Sequence, residues 1–369
     1  MQLTYRERFA RTLAHEAVDR VPMDLDSTDM TGIDGGPRRL ARALGVKTAA
    51  TDAQTDEAVL RALDTDIRGV GGVLAPQSEL AKRISDTEVI NEWGIKSRWN
   101  GDHYEMVSHP LANATLADLE KFPWPSPDSI DPGRIREIAQ RARQLFDQTP
   151  YVVCGRHPVF GVMELGCWMC GYDDFLLRMA ADPEFVRRFF EIVSQYQWRV
   201  DEIYYSEIGR YIHFTTSGDD FGTQVGPFIS PAMFREMVLP YLAKRIAHVR
   251  QFTQAAFFHH SCGAIAPLIP DLIAAGVQIL NPLQPRAAGM DPASLKRQFG
   301  SQLTFYGAVD TQELLPRGTP EEVSRVTKEL IEVLGAHGGY VLSAAHTLQS
   351  DVPAENVVAM YRAGLAPLG

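Results

Sequence analysis

The sequence predicts a (β/α)8 barrel of the α/β class, and three observations predict it. Eight short apolar segments of strand length alternate with helical segments along the 369 residues. Short strands separated by helices pair in parallel with both faces covered. Nearly every strand segment ends in polar residues, and the C-terminal strand ends of a barrel share one mouth. No glycine-rich dinucleotide fingerprint follows the first strand, which counts against a doubly wound open sheet.

The elements follow in order. Thr4-Tyr5-Arg6-Glu7 is a capping box opening an amphipathic helix to about Glu16. Met23-Asp24-Leu25-Asp26 is the first short strand, and residues 36–46 and 53–63 read as helices. Asp66-Ile67-Arg68-Gly69-Val70 is the second strand. Residues 84–110, broken at Gly94 and Gly101-Asp102, read as antiparallel hairpins near the N-terminus. Residues 84–127 are thus an insertion or arm on a single domain spanning 1–369.

From residue 131 the alternation is regular. Strands are expected over 151–155, 211–215, 255–258, 277–281, 303–307 and 340–343. Helices are expected over 131–147, 163–180, 183–207, 230–251, 264–275, 291–299 and 319–335, with a last one from Pro353. Pro231 and Pro320 stand at first helical positions, where a missing N–H costs nothing.

The segment Phe257-Phe258-His259-His260-Ser261-Cys262-Gly263 carries the strongest chemical signal. An apolar strand stops in imidazole, hydroxyl, thiol and glycine. His260 and Cys262, two apart, can be aimed at one point by a turn, and both residue types bind zinc. His346, at the tip of the last strand, completes a three-ligand set with one open position, the arrangement of catalytic zinc. The rival reading makes His346 an acid/base or substrate-binding residue without metal. Asp219 and Asp220 could orient a histidine or move protons. Glu164, one acid in an apolar run, either caps a helix or points into the mouth. Other polar tips are candidates for substrate binding: Asp24, Asp66, Arg156, Gln224, Asn281 and Asp310. Arg156 could instead neutralise nearby acids. Cys167 and Cys170, a C-x-x-C within a helix, read as packed core.

Net charge of −10 argues against nucleic acid as the main partner. No apolar run is long enough to span a bilayer. The charged N-terminus lacks a signal-peptide core, and four cysteines make no disulfide framework. A cytoplasmic location is expected.

Several segments together resemble the uroporphyrinogen decarboxylase superfamily. They are Arg6-Glu7-Arg8-Phe9 with Asp19-Arg20-Val21-Pro22, then Gly218-Asp219-Asp220-Phe221-Gly222-Thr223-Gln224, then His260-Ser261-Cys262-Gly263. Phe305-Tyr306-Gly307 with Asp310, and His346 followed by Val352-Pro353-Ala354-Glu355-Asn356, complete the set. The resemblance implies a barrel with its site in the C-terminal mouth, often in a homodimer. The metal-free decarboxylase branch acts on carboxylate substrates. It is matched at Asp66-Ile67, which looks like its pyrrole-binding aspartate, and at His346. Its arginine-rich motif after the first strand is replaced by the acidic Met23-Asp24-Leu25-Asp26-Ser27-Thr28-Asp29-Met30, and its active-site tyrosine falls near Glu164. The corrinoid-linked methyltransferases carry zinc on H-x-C plus a distant cysteine. His260 and Cys262 match, and His346 stands at the position of that cysteine. The resemblance thus implies a zinc-dependent methyltransferase moving a methyl group between a small molecule or folate and a corrinoid held by a partner protein. A decarboxylase or other lyase is the alternative.

Overall fold

The computed structural model describes residues 2–34, 37–47, 56–101 and 103–368. Expectations touching Gly36, residues 53–55 and Asp102 lie outside the described residues. Seven parallel strands form one sheet in sequential order: β1 (Ile67–Gly71), β2 (Val152–Arg156), β3 (Phe214–Gly218), β4 (Ala256–His260), β5 (Ile279–Leu283), β6 (Thr304–Val309) and β7 (Tyr340–Ala344). Helices separate β2 through β7, as parallel pairing demands. The sheet curls on itself. Tyr306 of β6 meets Phe214 of β3, two strands away from its neighbour, at a ring separation of 6.2 Å. Alternate residues of the strands (Ile67, Val152, Cys154, Phe214, Phe258, Ile279, Tyr306, Val341) pack into one inner cluster, with Phe9 of the first helix beneath them. The other strand face packs on the helices, so both faces are buried and the strands read as nearly continuous apolar runs.

The expected strand over 23–26 is a single parallel bridge, Met23 to Leu342. Leu342 N–H donates to the Pro22 carbonyl at 2.9 Å, and Asp66 N–H donates to the Met23 carbonyl at 2.8 Å. The ladder stops there because the Asp24 carboxylate offers the backbone another partner: it accepts from Ser27 N–H and from the Thr31 hydroxyl. Asp26, at φ 58°, then turns the chain.

Two expected helices are interrupted. The helix over 163–180 is two, Val162–Cys170 and Tyr172–Ala181, parted by Gly171 at φ 94°, which an L side chain rarely adopts. The helix after Ser230 contains a π turn over Phe234–Val238 just ahead of Pro240, whose missing N–H cannot continue an α ladder. β3 begins three residues later than expected, because Gly209–Tyr211 forms a 3-10 turn first. Residues Lys82–Arg83, Glu88–Ile90, Lys96–Trp99 and Tyr104–Ser108 form a separate four-stranded antiparallel sheet. Among the described residues no helix is long and apolar enough to cross a membrane.

Candidate metal centre

Strand alternation selects which histidine faces the mouth. Phe258 points into the inner cluster, so His259 points toward the helices and His260 back toward the inner side of the curled sheet. His259 stacks on Phe221 and shares a hydrogen bond with Ser217 (2.8 Å), away from the mouth. After β4 the chain turns at Gly263 (φ 88°). A Cβ there would stand 2.5 Å from the Gly222 backbone, so only glycine lets Cys262 fold back beside His260.

His260, Cys262 and His346 meet, with one potential ligand atom from each lying within 4.8 Å of the others. His346 stands just past β7, and its ring lies 5.5 Å from that of His260. His260 Nδ1–H donates to Asn281 Oδ1 at 2.7 Å, which leaves the Nε2 lone pair facing Cys262 Sγ at 3.4 Å. A tetrahedral zinc with ordinary bond lengths holds nitrogen and sulfur ligands about 3.3–3.8 Å apart. The same contact serves a thiol S–H···N hydrogen bond.

The electrostatics fit a cation. Burial, Asp220 and Glu164 push the Cys262 thiol up, so a thiolate needs a positive charge beside it. Burial and neighbouring His260 push His346 down to about 4, which keeps its imidazole neutral. Asp220 accepts from Cys262 N–H at 2.8 Å, with the same oxygen 3.6 Å from His260 Nε2. Gln284 Oε1 accepts from Gly263 N–H at 2.8 Å and steadies the turn.

Asp219 caps the helix Val162–Cys170, accepting from Met163 N–H (3.1 Å) and Glu164 N–H (2.7 Å). Burial pushes its carboxyl up to about 7 despite those bonds. Gly161 makes this approach possible, since a Cβ there would stand 2.2 Å from the Asp219 carboxyl carbon. Glu164 is thereby fixed in the first turn beside the cluster. Burial first, then Asp220 and Asp219, push its carboxyl well above the usual range.

The other expected site residues scatter. Asp66 precedes β1 and so lies at the opposite, N-terminal end of the sheet, fully buried between Arg8 (2.6 Å) and Arg20 (2.7 Å). It is a structural carboxylate, not a mouth residue. Asp24 is also fully buried, spending its oxygens on its own turn. Arg156 reaches Asp26 and Asp29 at 3.4 Å and the Ser27 and Asp26 carbonyls, so it neutralises acids rather than standing free. Asp310 caps the next helical turn through Glu313 and Leu314 N–H. Gln224 exposes its side chain, and its carbonyl accepts from Ala288 N–H. Asn281 does join the centre, but as the partner of His260. Cys167 and Cys170 are buried and unbridged. Sequence reasoning missed the half-buried rings of Phe160 and Trp168, which meet edge-on at 4.8 Å; Trp168 lies one helical turn after Glu164, which was the available signal.

Over 268 residues the chain is 25% identical to the methylated-thiol–coenzyme M methyltransferase of Methanosarcina mazei. That match covers 69% of this chain and 64% of the relative, so the chain spans somewhat under two thirds of its length. A methyltransferase structure from Methanosarcina mazei matches over 98% of both chains with a TM-score of 0.65 at 17% identity, a likeness of fold. Both relatives are methyltransferases. The family model described as uroporphyrinogen decarboxylase (URO-D) matches residues 92–364, most of the chain, and the protein belongs to that family.

Proposed function

We propose that this protein is a metal-dependent methyltransferase that moves a methyl group between a small molecule and a corrinoid protein, with zinc on His260, Cys262 and His346. The observation that carries the reading is the convergence of those three ligand atoms from two strand tips and a turn. The methyltransferase names of two relatives support it. Bound zinc would act as a Lewis acid toward a sulfur or oxygen of the substrate. Asn281 holds His260 in the ligand-ready tautomer. Asp220 ties down Cys262 through its backbone and adds negative charge beside it. Asp219 positions the helix start, and Glu164, kept protonated by burial, is the proton donor. The reading treats residues 1–369 as one domain, in which Pro22–Asp24 closes the curled sheet between β7 and β1 to complete an eight-unit barrel. That closure is supported by the hydrogen bonds of Pro22 and Asp24 with Leu342 and of Met23 with Asp66.

Elemental analysis tests the proposal. Protein purified without chelators is expected to hold about one zinc per chain, and Cys262→Ala to lose it. A wild-type protein without metal, or a Cys262→Ala variant that keeps both metal and methyl-transfer activity, would sink it. Asn281→Ala is expected to weaken zinc about 10–100-fold in a competitive chelator titration, because His260 loses its orienting partner. Unchanged affinity would mean that Asn281 has no such role.

A further inference from the structure

On the helix side of the sheet, where β3 and β4 face the helices Pro183–Ile208 and Leu239–Val249, lies a cavity of about 20 Å³. Gln197, Ser217, Asp219, Arg245 and His259 line it, and each of these residues is at most 5% exposed. Ser217 and His259 are register partners on β3 and β4. The Ser217 hydroxyl donates to the Phe258 carbonyl at 3.1 Å, so its oxygen accepts from His259 Nδ1–H at 2.8 Å. That choice of tautomer makes His259 Nε2 a lone-pair acceptor. Nε2 is buried, and no described protein group hydrogen-bonds it. The stack on Phe221, with centroids 5.4 Å apart, holds the ring in this orientation. Arg245 is fixed by Asp201 through Nε (2.9 Å) and Nη2 (3.0 Å). Asp219 accepts from Met163 and Glu164 N–H, and a carboxylate has lone pairs to spare beyond two bonds.

We propose that this cavity is a binding site for a single water molecule, which donates to His259 Nε2 and to the Asp219 carboxylate and accepts from the Arg245 guanidinium, and that His259 is through it a positioning residue for the Asp219 cap. A buried acceptor without a partner costs about 1–3 kcal/mol, so the fold gains by supplying a donor. The other lining groups do not serve. Ser217 gives its one proton to Phe258, and Gln197 Nε2 donates to the Phe160 carbonyl at 2.6 Å. Water supplies two donors and accepts in return, and buried waters make about three such bonds. The volume admits one water and nothing larger, and its walls are polar, whereas cavities that stay dry are apolar. The bridge ties the β3 tip to β4 and to the helix Leu239–Val249. It thereby adds a third bond to the carboxylate that starts the helix Val162–Cys170. The inference stands apart from the metal and methyl-transfer readings, since the His259 ring faces away from the mouth.

A crystal structure of the purified protein that resolves ordered water tests the first half. One water is expected within hydrogen-bond distance of His259 Nε2, the Asp219 carboxylate and Arg245. A dry cavity, or a protein side chain bonded to Nε2 in its place, would overturn the assignment. Residue-resolved hydrogen exchange tests the second half. His259→Phe keeps a ring to stack on Phe221 and removes both nitrogens. It is expected to lose the water and to speed exchange of Met163 and Glu164 N–H about tenfold, the effect of losing one bond from their acceptor. Exchange of Glu322 N–H, held by the distant Thr319 cap, should stay unchanged. That contrast separates a local effect on the Asp219 cap from general loss of stability. His259→Gln, whose amide oxygen can stand where Nε2 stands, is expected to keep both the water and the wild-type exchange rates. Wild-type exchange in a folded His259→Phe protein, or faster exchange in His259→Gln with the water still bound, would remove the positioning role. Should His259→Phe fail to fold, the wild-type water and the His259→Gln variant decide the matter.

Discussion

Asp66→Ala is expected to destabilise the protein by on the order of 3–5 kcal/mol, while zinc content per folded chain stays unchanged. Asp66 sits at the N-terminal end of the curled sheet with no exposed surface, accepting from Arg8, Arg20 and Met23 N–H. Arg8 comes from the first helix, and Arg20 and Met23 from the segment that follows. One carboxylate thus ties the N-terminal segment to the start of β1. Its removal leaves two buried guanidinium groups short of a partner, although Asp19 still pairs with Arg8 and Asp64 with Arg20. Buried charge short of a partner is strongly destabilising. Urea unfolding would measure it. An Asp66→Asn protein of wild-type stability that had lost substrate binding alone would restore Asp66 to the mouth and refute this account.

Glu164→Gln is expected to lower methyl transfer to free cob(I)alamin by about 100- to 10,000-fold, the usual contribution of a placed general acid, with zinc retained. The amide keeps the shape and loses the proton. The pH profile carries the second signature. Burial raises the Glu164 pKa, so the protonated, donating form is present below that raised value and is lost as pH rises through it. The wild-type rate should therefore fall on the alkaline side, and the glutamine variant, with nothing to titrate, should lack that limb. A variant with wild-type turnover, or one with the same alkaline limb, would remove Glu164 from the chemistry.

Much of this was legible in the chain itself. The apolar segments and their spacing named the strands, because burial on both faces leaves a continuous apolar run whatever the neighbours are. Thr4 and Thr319 marked helix starts correctly, since a capping box is a local hydrogen-bond pattern. The trio His260, Cys262 and His346 was legible from residue type and strand ends together. The motif Asp19-Arg20-Val21-Pro22 was legible as a pattern but not as a function: it proves to be part of the charge cluster around Asp66.

The tertiary structure decided the rest. Whether a polar residue beside a strand faces the mouth or the floor depends on which end of the strand it occupies. Asp66 was assigned to the wrong end by one short segment. Asp24 and Asp310 serve their own turns, because a carboxylate within reach of a free backbone N–H or a nearby hydroxyl is satisfied locally first. Asn281 became the partner of His260 only once β4 and β5 were paired side by side. Composition and periodicity determine which elements form and which ligand types are present. Direction, register and the packing of distant elements determine which of those groups share a site.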